Sequence, residues 1–245
     1  MTDTLPPPPS LDSLIVEGPV ALFLDFDGTL VDIAATPDEI EVPGDLVDRL
    51  HALCERMGQR VALVSGRALD DLETHLPALT VCRAGSHGAS RLFADGRRLG
   101  KEPEGLPDAA VDRLRAFAEG RGLLYETKAH GGAVHFRKHP EMRDEAVALG
   151  RDVAAELGLA LFTGKGLVEL VRPGANKGEA VRAFMENEPF RSARPVFIGD
   201  DTTDEDGMDA AAQLGGFGIT VGERENHVAR YGLDSVGAVH HWLGL

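Results

Sequence analysis

Residues 21–30 read ALFLDFDGTL and decide the fold of this chain. The apolar run at its start has the length of a strand and ends at polar turn residues, which is typical of a strand at the centre of a parallel sheet. Two carboxylates, Asp25 and Asp27, follow the run one residue apart. Because ligands of open α/β sheets bind beyond the carboxyl ends of the strands, the stretch predicts a reactive sheet edge at Asp25.

The pattern of a buried strand followed by polar residues occurs twice more. Residues 61–64 (VALV) precede Ser65 and Arg67, and residues 195–198 (PVFI) precede an acidic run that begins at Asp200. Helical stretches lie between the strands, and the alternation of strand and helix predicts parallel pairing. Since the carboxyl ends of parallel strands lie along one edge of the sheet, we expect the residues after these strands to form a single site.

The alternating pattern is interrupted between about residue 103 and residue 173, where the order of elements is α-β-β-α-β-β. That segment is long enough to form a small core of its own. The sequence therefore predicts an α/β fold with a Rossmann-like core, a parallel sheet covered by helices on both faces, over residues 19–102 and 174–245. Residues 103–173 are expected to form an inserted α+β cap domain. Residues 1–18, with four consecutive prolines, are expected to be a disordered tail.

The first cap helix is expected to begin at Pro107 and to end at Gly120. Its apolar spacing predicts that Val111, Leu114 and Phe117 face inward. A small hairpin around the Asp-Gly turn at Asp95 is predicted before the cap.

The composition excludes several classes of protein. A formal net charge of -15 argues against a general nucleic-acid or anionic-membrane surface. No apolar run has the length that crosses a bilayer, so no membrane association is expected. The two cysteines, Cys54 and Cys82, form no CxxC pattern and are expected to be buried free thiols. Together with the absence of a secretory signal pattern, these features predict a cytoplasmic protein.

The predicted site supplies the groups that phosphoryl transfer requires. Asp25 can act as the nucleophile that forms an aspartyl phosphate, and Asp27 can protonate the leaving group and then activate water. Gly28 lets main-chain amides approach a phosphate, and Ser65 adds a hydroxyl donor. Lys177 adds positive charge. It lies in the first turn of a predicted helix, where the helix dipole disfavours a cation; a nearby anion would offset that cost, and a solvated surface lysine is the alternative.

A group of aspartates at the same edge predicts a Mg²⁺ site. Asp25, the main-chain oxygen of Asp27 and Asp200 are expected to hold the ion, with Asp201 and Asp204 orienting its waters or completing its shell. A calcium loop of the EF-hand type is excluded, because a threonine and a glutamine occupy its two essential acidic positions.

Four motifs of the chain resemble those of haloacid dehalogenase-like phosphatases, and their spacing and the inserted cap are similar to those of the trehalose-6-phosphate phosphatase family. The four motifs are residues 25–29 (DFDGT), 65–67 (SGR), 176–178 (NKG) and 199–206 (GDDTTDED). Further stretches that resemble this family are residues 85–88 (GSHG), 126–128 (ETK), 135–137 (HFR) and 165–169 (KGLVE).

The resemblance implies a Mg²⁺-dependent phosphatase that hydrolyses trehalose 6-phosphate, functionally coupled to a trehalose-phosphate synthase. It implies that cap residues bind the disaccharide, namely Glu126, Lys128, Arg137, Lys165 and Glu169. Gly28, Thr29 and Arg67 are expected to contact the substrate in the core, and His87 is either a substrate contact or a turn residue. Phe136 stands where the family usually has tyrosine.

Two alternatives stay open at this point. One is a cap-bearing phosphatase for another sugar phosphate, such as sucrose 6-phosphate or mannosyl-3-phosphoglycerate. The other is a catalytically silent sugar-phosphate sensor, which degenerate motifs would have favoured. Asp25, Asp27, Lys177 and Asp200 are all present.

Overall fold

A computed structural model describes residues 5–34, 39–101, 104–128, 130–164, 166–173, 176–223 and 226–245. The chain divides into two compact units. The first contains residues 1–101 and 176–245, and the second contains residues 102–175. The predicted cap range, residues 103–173, lies within the second unit.

The strands and helices of the described residues are as follows. The strands are β1 Val20–Leu24, β2 Val61–Val64, β3 Cys82–Gly85, β4 Ser90–Leu92, β5 Leu124–Thr127, β6 Gly131–His135, β7 Ala160–Gly164, β8 Leu167–Val171, β9 Arg194–Gly199, β10 Phe217–Val221 and β11 Tyr231–Leu233. The helices are α1 Leu11–Glu17, α2 Leu46–Arg56, α3 Leu69–His75, α4 Asp108–Arg121, α5 Arg143–Leu157, α6 Lys177–Met185, α7 Glu205–Gln213 and α8 Val236–Leu243.

The first unit is built on one sheet with the strand order β11-β10-β9-β1-β2-β3-β4. Its strands pair in parallel, except that β4 is antiparallel to β3. The register pairs Leu24 of β1 with Leu63 of β2 and with Ile198 of β9. The chain therefore leaves these three neighbouring strands at the same edge, which confirms the α/β architecture predicted from the sequence.

Helices cover both faces of this sheet. Successive side chains of β1 point to opposite faces, and each set packs against different helices. Leu22 and Leu24 pack in an apolar cluster with residues of α1, α2 and α8. Ala21 and Phe23 pack in a second cluster with residues of α6 and α7. All of β1 is buried. A strand buried on both faces reads as a continuous apolar run, which is why residues 21–24 show no polar alternation.

The prediction of a disordered tail over residues 1–18 is wrong for its second half. Residues 11–17 form α1, whose N-cap Ser10 accepts a hydrogen bond from the main-chain nitrogen of Ser13. Leu11 and Leu14 are each 2% exposed and belong to the main core. The indole nitrogen of Trp242 donates to the main-chain oxygen of Pro9 at 2.8 Å, so the proline run is also held against the unit.

The second unit is an antiparallel sheet with the order β5-β6-β8-β7. Helices α4 and α5 pack on one face of it and share an apolar cluster with its strands. The predicted end of α4 at Gly120 is wrong, because the helix continues to Arg121 and ends at Gly122, which takes the left-handed conformation of a C-cap. Its fully buried face consists of Ala110, Leu114 and Ala118, whereas Val111 and Phe117 are only partly buried.

The small hairpin predicted around Asp95 is present: Leu92 pairs antiparallel with Arg98, and the main-chain nitrogen of Phe93 donates to the oxygen of Arg97 at 2.8 Å. One further detail differs from the predictions. The short edge strand β11 was not predicted; Tyr231, within it, packs edge-on against Phe217. Among the described residues, no helix has both the length and the apolar character needed to cross a membrane.

The packing of α1 predicts a difference between two substitutions on the same helix. Leu14→Ala should lower the free energy of unfolding by about 2–4 kcal/mol, because it leaves a cavity in the core. Val16→Ala is the matched control, since Val16 is 88% exposed, and should change that free energy by less than about 0.5 kcal/mol. Urea unfolding followed by circular dichroism measures both. Equal, small effects would mean that α1 is not docked.

Candidate active site

A buried lysine lies between two buried aspartates at the carboxyl edge of the first unit's sheet. The Nζ atom of Lys177 donates to Oδ1 of Asp25 and to Oδ1 of Asp204, both at 2.6 Å. The side chains of Lys177, Asp25 and Asp204 are 3%, 6% and 0% exposed. The alternative of a solvated surface lysine is therefore excluded.

Charge governs the protonation of this group. Burial alone would lower the pKa of Lys177, but Asp204 and Asp25 outweigh it and raise that pKa above its ordinary range, so the ammonium stays charged. Burial, assisted by the charge of Asp204, raises the pKa of Asp25 well above its ordinary value, although Lys177 opposes the shift. One ammonium thus faces more negative charge than it neutralises.

A third carboxylate adds to this excess. Asp25, Asp200 and Asp204 offer oxygen atoms that all lie within 4.8 Å of one another. Burial, followed by the charges of Asp204 and Asp201, raises the pKa of Asp200 to about 7. Close carboxylates that repel one another in a site of oxygen donors fit a hard divalent cation such as Mg²⁺.

Glycines make room for these carboxylates. Gly28 has a φ of +80°, and a Cβ added there would collide with the carboxylate of Asp200. A Cβ at Gly199 would collide with the side chain of Asp204. The predicted role of Gly28, an approach of main chain to phosphate, is therefore accompanied by a second one: it leaves space for Asp200.

Asp201 lies outside this group of carboxylates. Its Oδ1 accepts hydrogen bonds from the main-chain nitrogen of Thr202 at 2.6 Å and from the Thr202 hydroxyl at 3.1 Å. Its own main-chain nitrogen donates to Oδ2 of Asp204 at 2.9 Å. The side chain of Asp201 also accepts from the main-chain nitrogen of Asp204, and the two reciprocal bonds between Asp201 and Asp204 form a capping box at the start of the turn before α7. Asp201 thus fixes the position of Asp204 through the main chain.

The carboxylate of Asp27 is also not a member of this group. Both of its oxygens are bound by the guanidinium of Arg67, from Nε and from Nη2, each at 2.7 Å. The third nitrogen, Nη1, donates to Asp71 at 2.8 Å. Asp71 was not singled out in the sequence, although its position four residues after Arg67 is a spacing that favours such a pair.

Ser65 and Thr29 are fully buried within the edge. Oγ of Ser65 accepts from the main-chain nitrogen of Arg67 at 3.1 Å. The hydroxyl of Thr29 lies 3.4 Å from Oδ2 of Asp25 and donates toward it. Of the residues expected to contact a substrate, Thr29 thus touches the candidate nucleophile.

His87 braces the loop next to Ser65. Ser86 and His87 have φ values of 51° and 56°, a strained conformation for residues other than glycine. The main-chain nitrogen of His87 donates to the main-chain oxygen of Ser65 at 3.0 Å. A Cβ on Gly66 would lie 2.8 Å from the His87 ring. These contacts agree with the turn role that the sequence left open.

The side chains of Glu126, His135 and Glu169 lie on the face of the second unit's sheet opposite α4 and α5. Nε2 of His135 lies 2.7 Å from Oε2 of Glu126, and this hydrogen bond lowers the pKa of Glu126. Nζ of Lys128 donates to Oε2 of Glu169, also at 2.7 Å. His135 is the partner that the sequence did not assign.

Arg137 lies beside the turn at residue 166: a Cβ added to the glycine at that position would contact the Arg137 side chain. Lys165 lies outside the described residues.

The fold of this chain is shared with solved phosphatase structures. A structure described as a phosphatase of the haloalkanoate (HAD) enzyme superfamily from Bacteroides thetaiotaomicron has the same fold, with a TM-score of 0.64 and 17% identity over 92% of this chain and 93% of its own.

The chain belongs to the trehalose-phosphatase family, whose profile matches residues 23–234. It is 33% identical to the trehalose-6-phosphate phosphatase of Escherichia coli K12 over 246 residues, which cover 99% of this chain and 90% of that protein. It also resembles a solved trehalose-6-phosphate phosphatase related protein, with a TM-score of 0.72 and 27% identity over 92% of this chain and 95% of that one. The predicted family is confirmed.

The excess of carboxylates predicts how stability depends on pH when no cation is bound. The pKa of Asp200 rises from an ordinary 3.8 to about 7 on folding. Between these values the folded protein keeps a proton that the unfolded chain has released, so the contribution of Asp200 to stability is fully present below about pH 4 and is lost as the pH rises through about 7.

Urea unfolding in EDTA, from about pH 4 to about pH 8, measures this loss. Asp200→Asn is the control, because the amide does not titrate, and it should show a smaller fall over the same range. Mg²⁺ added near neutral pH should stabilise the parent protein more than the variant. Identical pH profiles for the two proteins would contradict the assignment of the raised pKa to Asp200.

Proposed function

We propose that this protein hydrolyses trehalose 6-phosphate to trehalose and inorganic phosphate through a phosphorylated aspartate at Asp25. One observation carries the proposal: the buried ammonium of Lys177 holds Asp25 at 2.6 Å, next to Asp204, at the carboxyl edge of the sheet. Membership of the trehalose-phosphatase family supports the choice of substrate.

In the first step, a carboxylate oxygen of Asp25 forms a bond to phosphorus while the bond from phosphorus to the sugar oxygen breaks. The sugar oxygen takes a proton from the carboxyl group of Asp27 and leaves as a hydroxyl. Lys177 holds Asp25 in place and adds positive charge where negative charge accumulates. Ser65 and the main chain around Gly28 supply further donors to the phosphoryl oxygens.

In the second step, a water molecule attacks phosphorus and gives its proton to the carboxylate of Asp27. The bond between phosphorus and Asp25 breaks, and inorganic phosphate is released. Asp27 ends the cycle protonated, as it began, so atoms and protons balance. The two steps replace one difficult displacement by water with two easier ones.

Mg²⁺ would be held by Asp25, Asp200, Asp204 and the main-chain oxygen of Asp27, since their oxygen-rich donor set fits that ion. When bound, the cation neutralises the negative charge that the phosphoryl group brings to these carboxylates. Asp201 supports the ion only through the turn that it caps.

The disaccharide would be bound by the charged face of the second unit. Glu126 and Glu169 are acceptors for sugar hydroxyls, and Lys128 and Arg137 are donors. The pairing of Lys128 with Glu169, and that of Glu126 with His135, holds these side chains in place before a ligand arrives. Lys165 is included in the proposed sugar site on the family resemblance alone.

The proposed substrate is the product of a trehalose-phosphate synthase, so the protein would act after such an enzyme. We propose that both act in the cytoplasm. The free thiols of Cys54 and Cys82 are buried, and burial raises the pKa of Cys82 to about 11, which makes it unreactive. Unpaired, inert thiols suit a reducing compartment.

Phosphate release from a panel of substrates tests the proposal. Trehalose 6-phosphate should be hydrolysed with a kcat/KM at least about tenfold above those of sucrose 6-phosphate, mannosyl-3-phosphoglycerate and glucose 6-phosphate. EDTA should abolish release, and Mg²⁺ should restore it. Asp25→Asn should reduce turnover by at least about a thousandfold, whereas Asp48→Asn, an exposed aspartate on α2, should not change it.

Three results would contradict the proposal. A preference for another sugar phosphate would refute the substrate. Substantial turnover by Asp25→Asn would refute the nucleophile, and no release from any member of the panel would favour the sensor alternative.

A further inference from the structure

Arg67 joins two carboxylates at the edge of the candidate active site. Its Nε and Nη2 atoms contact the two oxygens of Asp27, each at 2.7 Å, and its Nη1 atom contacts Asp71 at 2.8 Å. The Arg67 side chain is 8% exposed, whereas those of Asp27 and Asp71 are 33% and 38% exposed. A guanidinium that binds both oxygens of a carboxylate in this way fixes its orientation as well as its distance.

The arginine itself is held at both ends. Its main-chain nitrogen donates to Oγ of Ser65 at 3.1 Å, and its main-chain oxygen accepts from the nitrogen of Ser86 at 2.7 Å. Asp71, one turn along at the start of α3, fixes the guanidinium. The ring of Phe26 lies 5.8 Å beneath it. Arg67 is therefore fixed at both its main chain and its guanidinium group, and it connects the β2–α3 turn to Asp27.

A direct contact with substrate phosphate, which the sequence suggested, fits this geometry less well. All three guanidinium nitrogens already donate to carboxylates. To bind a phosphoryl group, the side chain would have to give up its two-nitrogen, charge-assisted pair with Asp27 or its bond to Asp71. Asp27, by contrast, still has a lone pair on each oxygen while it is held by the two nitrogens of Arg67, and it can carry there the proton that it transfers.

We propose that Arg67 is a positioning residue for proton transfer, which holds the carboxyl group of Asp27 toward the leaving oxygen of the substrate. The inference rests on the proposed function, because it assumes that Asp27 gives its proton to the leaving oxygen as the bond from phosphorus to that oxygen breaks. Arg67 takes no part in the bonds that form or break. Its effect should depend on how much the leaving group needs a proton.

The basicity of the leaving group therefore gives the test. Phenyl phosphate and 4-nitrophenyl phosphate have similar size, but only the phenolate of the first is basic enough to need much protonation. The ratio kcat/KM reports the steps up to loss of the leaving group. Arg67→Gln should lower it about a hundredfold for phenyl phosphate and for trehalose 6-phosphate, and less than about threefold for 4-nitrophenyl phosphate.

Matched variants separate positioning from other roles. Arg67→Lys keeps the charge but cannot bind two oxygens at once, so it should show the same selective loss. Arg83→Gln removes a partly buried arginine that binds main-chain oxygens of Leu79 and Val81, and should leave all three substrates unaffected. Asp71→Asn keeps Arg67 and loosens only its anchor, so it should show a smaller loss of the same pattern.

A double-mutant cycle completes the design. In an Asp27→Asn background, Arg67→Gln should cause no further loss with phenyl phosphate, because the group it positions is gone. Equal losses with both aryl phosphates, or full additivity with Asp27→Asn, would overturn the proposal in favour of a phosphate contact or a general structural role. If Arg67→Gln does not fold, Asp71→Asn decides by the same comparison.

Failure of the proposed function would look different. In that case the parent protein would not hydrolyse trehalose 6-phosphate, or Asp27→Asn would leave the hydrolysis of phenyl phosphate unchanged. Failure of the Arg67 proposal alone would leave both of those results as expected.

Discussion

Lys177 is a charged group with almost no access to water, and the site depends on the two carboxylates that compensate it. Burying an ammonium alone would cost several kcal/mol, so Asp25 and Asp204 must approach it closely. Helix α6 delivers the lysine: Asn176 caps it by accepting from the nitrogen of Glu179 at 2.8 Å, which places Lys177 in the first turn. The helix dipole opposes a cation there, and the aspartates offset it.

The same arrangement leaves the site with surplus negative charge. Three carboxylates face one ammonium, and the raised pKa values of Asp25 and Asp200 express that imbalance. Such a site is unfavourable by itself and gains stability from a divalent cation. Gly28 and Gly199 permit the crowding, because any side chain at either position would collide with an aspartate. The repulsion among these carboxylates lowers the stability of the fold, and the same arrangement holds their charges in fixed positions before a ligand binds. This combination is usual at catalytic sites.

Much of the fold and of the candidate site was predictable, because the strands and the polar residues that follow them are visible as local sequence patterns. The apolar run of β1 and the polar residues after β1, β2 and β9 predicted the sheet edge. The place of Lys177 in the first turn of a helix indicated a nearby anion. The burial of the helix α1 had a signal that the proline run obscured: Leu11 and Leu14 are three apart behind Ser10, a good N-cap. The end of α4 was missed by two residues, because two glycines there compete as caps.

Other features depend on geometry that a sequence does not contain. Asp200 and Asp201 are the same residue type and adjacent in the sequence. After β9, however, the side chain of Asp200 lies next to Gly28, whereas that of Asp201 binds the nitrogen of Thr202. Arg67 reads as a substrate contact from its motif, and only the fold reveals that Asp27 and Asp71 are its partners. The pairing of Glu126 with His135 likewise follows from antiparallel register in the second unit.

The central claim is that Asp25 carries the phosphoryl group between the two steps, and covalent capture tests it most directly. Asp27→Asn protein would be mixed with 4-nitrophenyl phosphate, quenched with acid within the first turnover, digested and analysed by mass spectrometry. We expect phosphate on the peptide that contains Asp25, at Asp25, rising together with the first release of nitrophenolate. Release of nitrophenolate without any phosphorylated peptide, or with the phosphoryl group on another residue, would contradict the account.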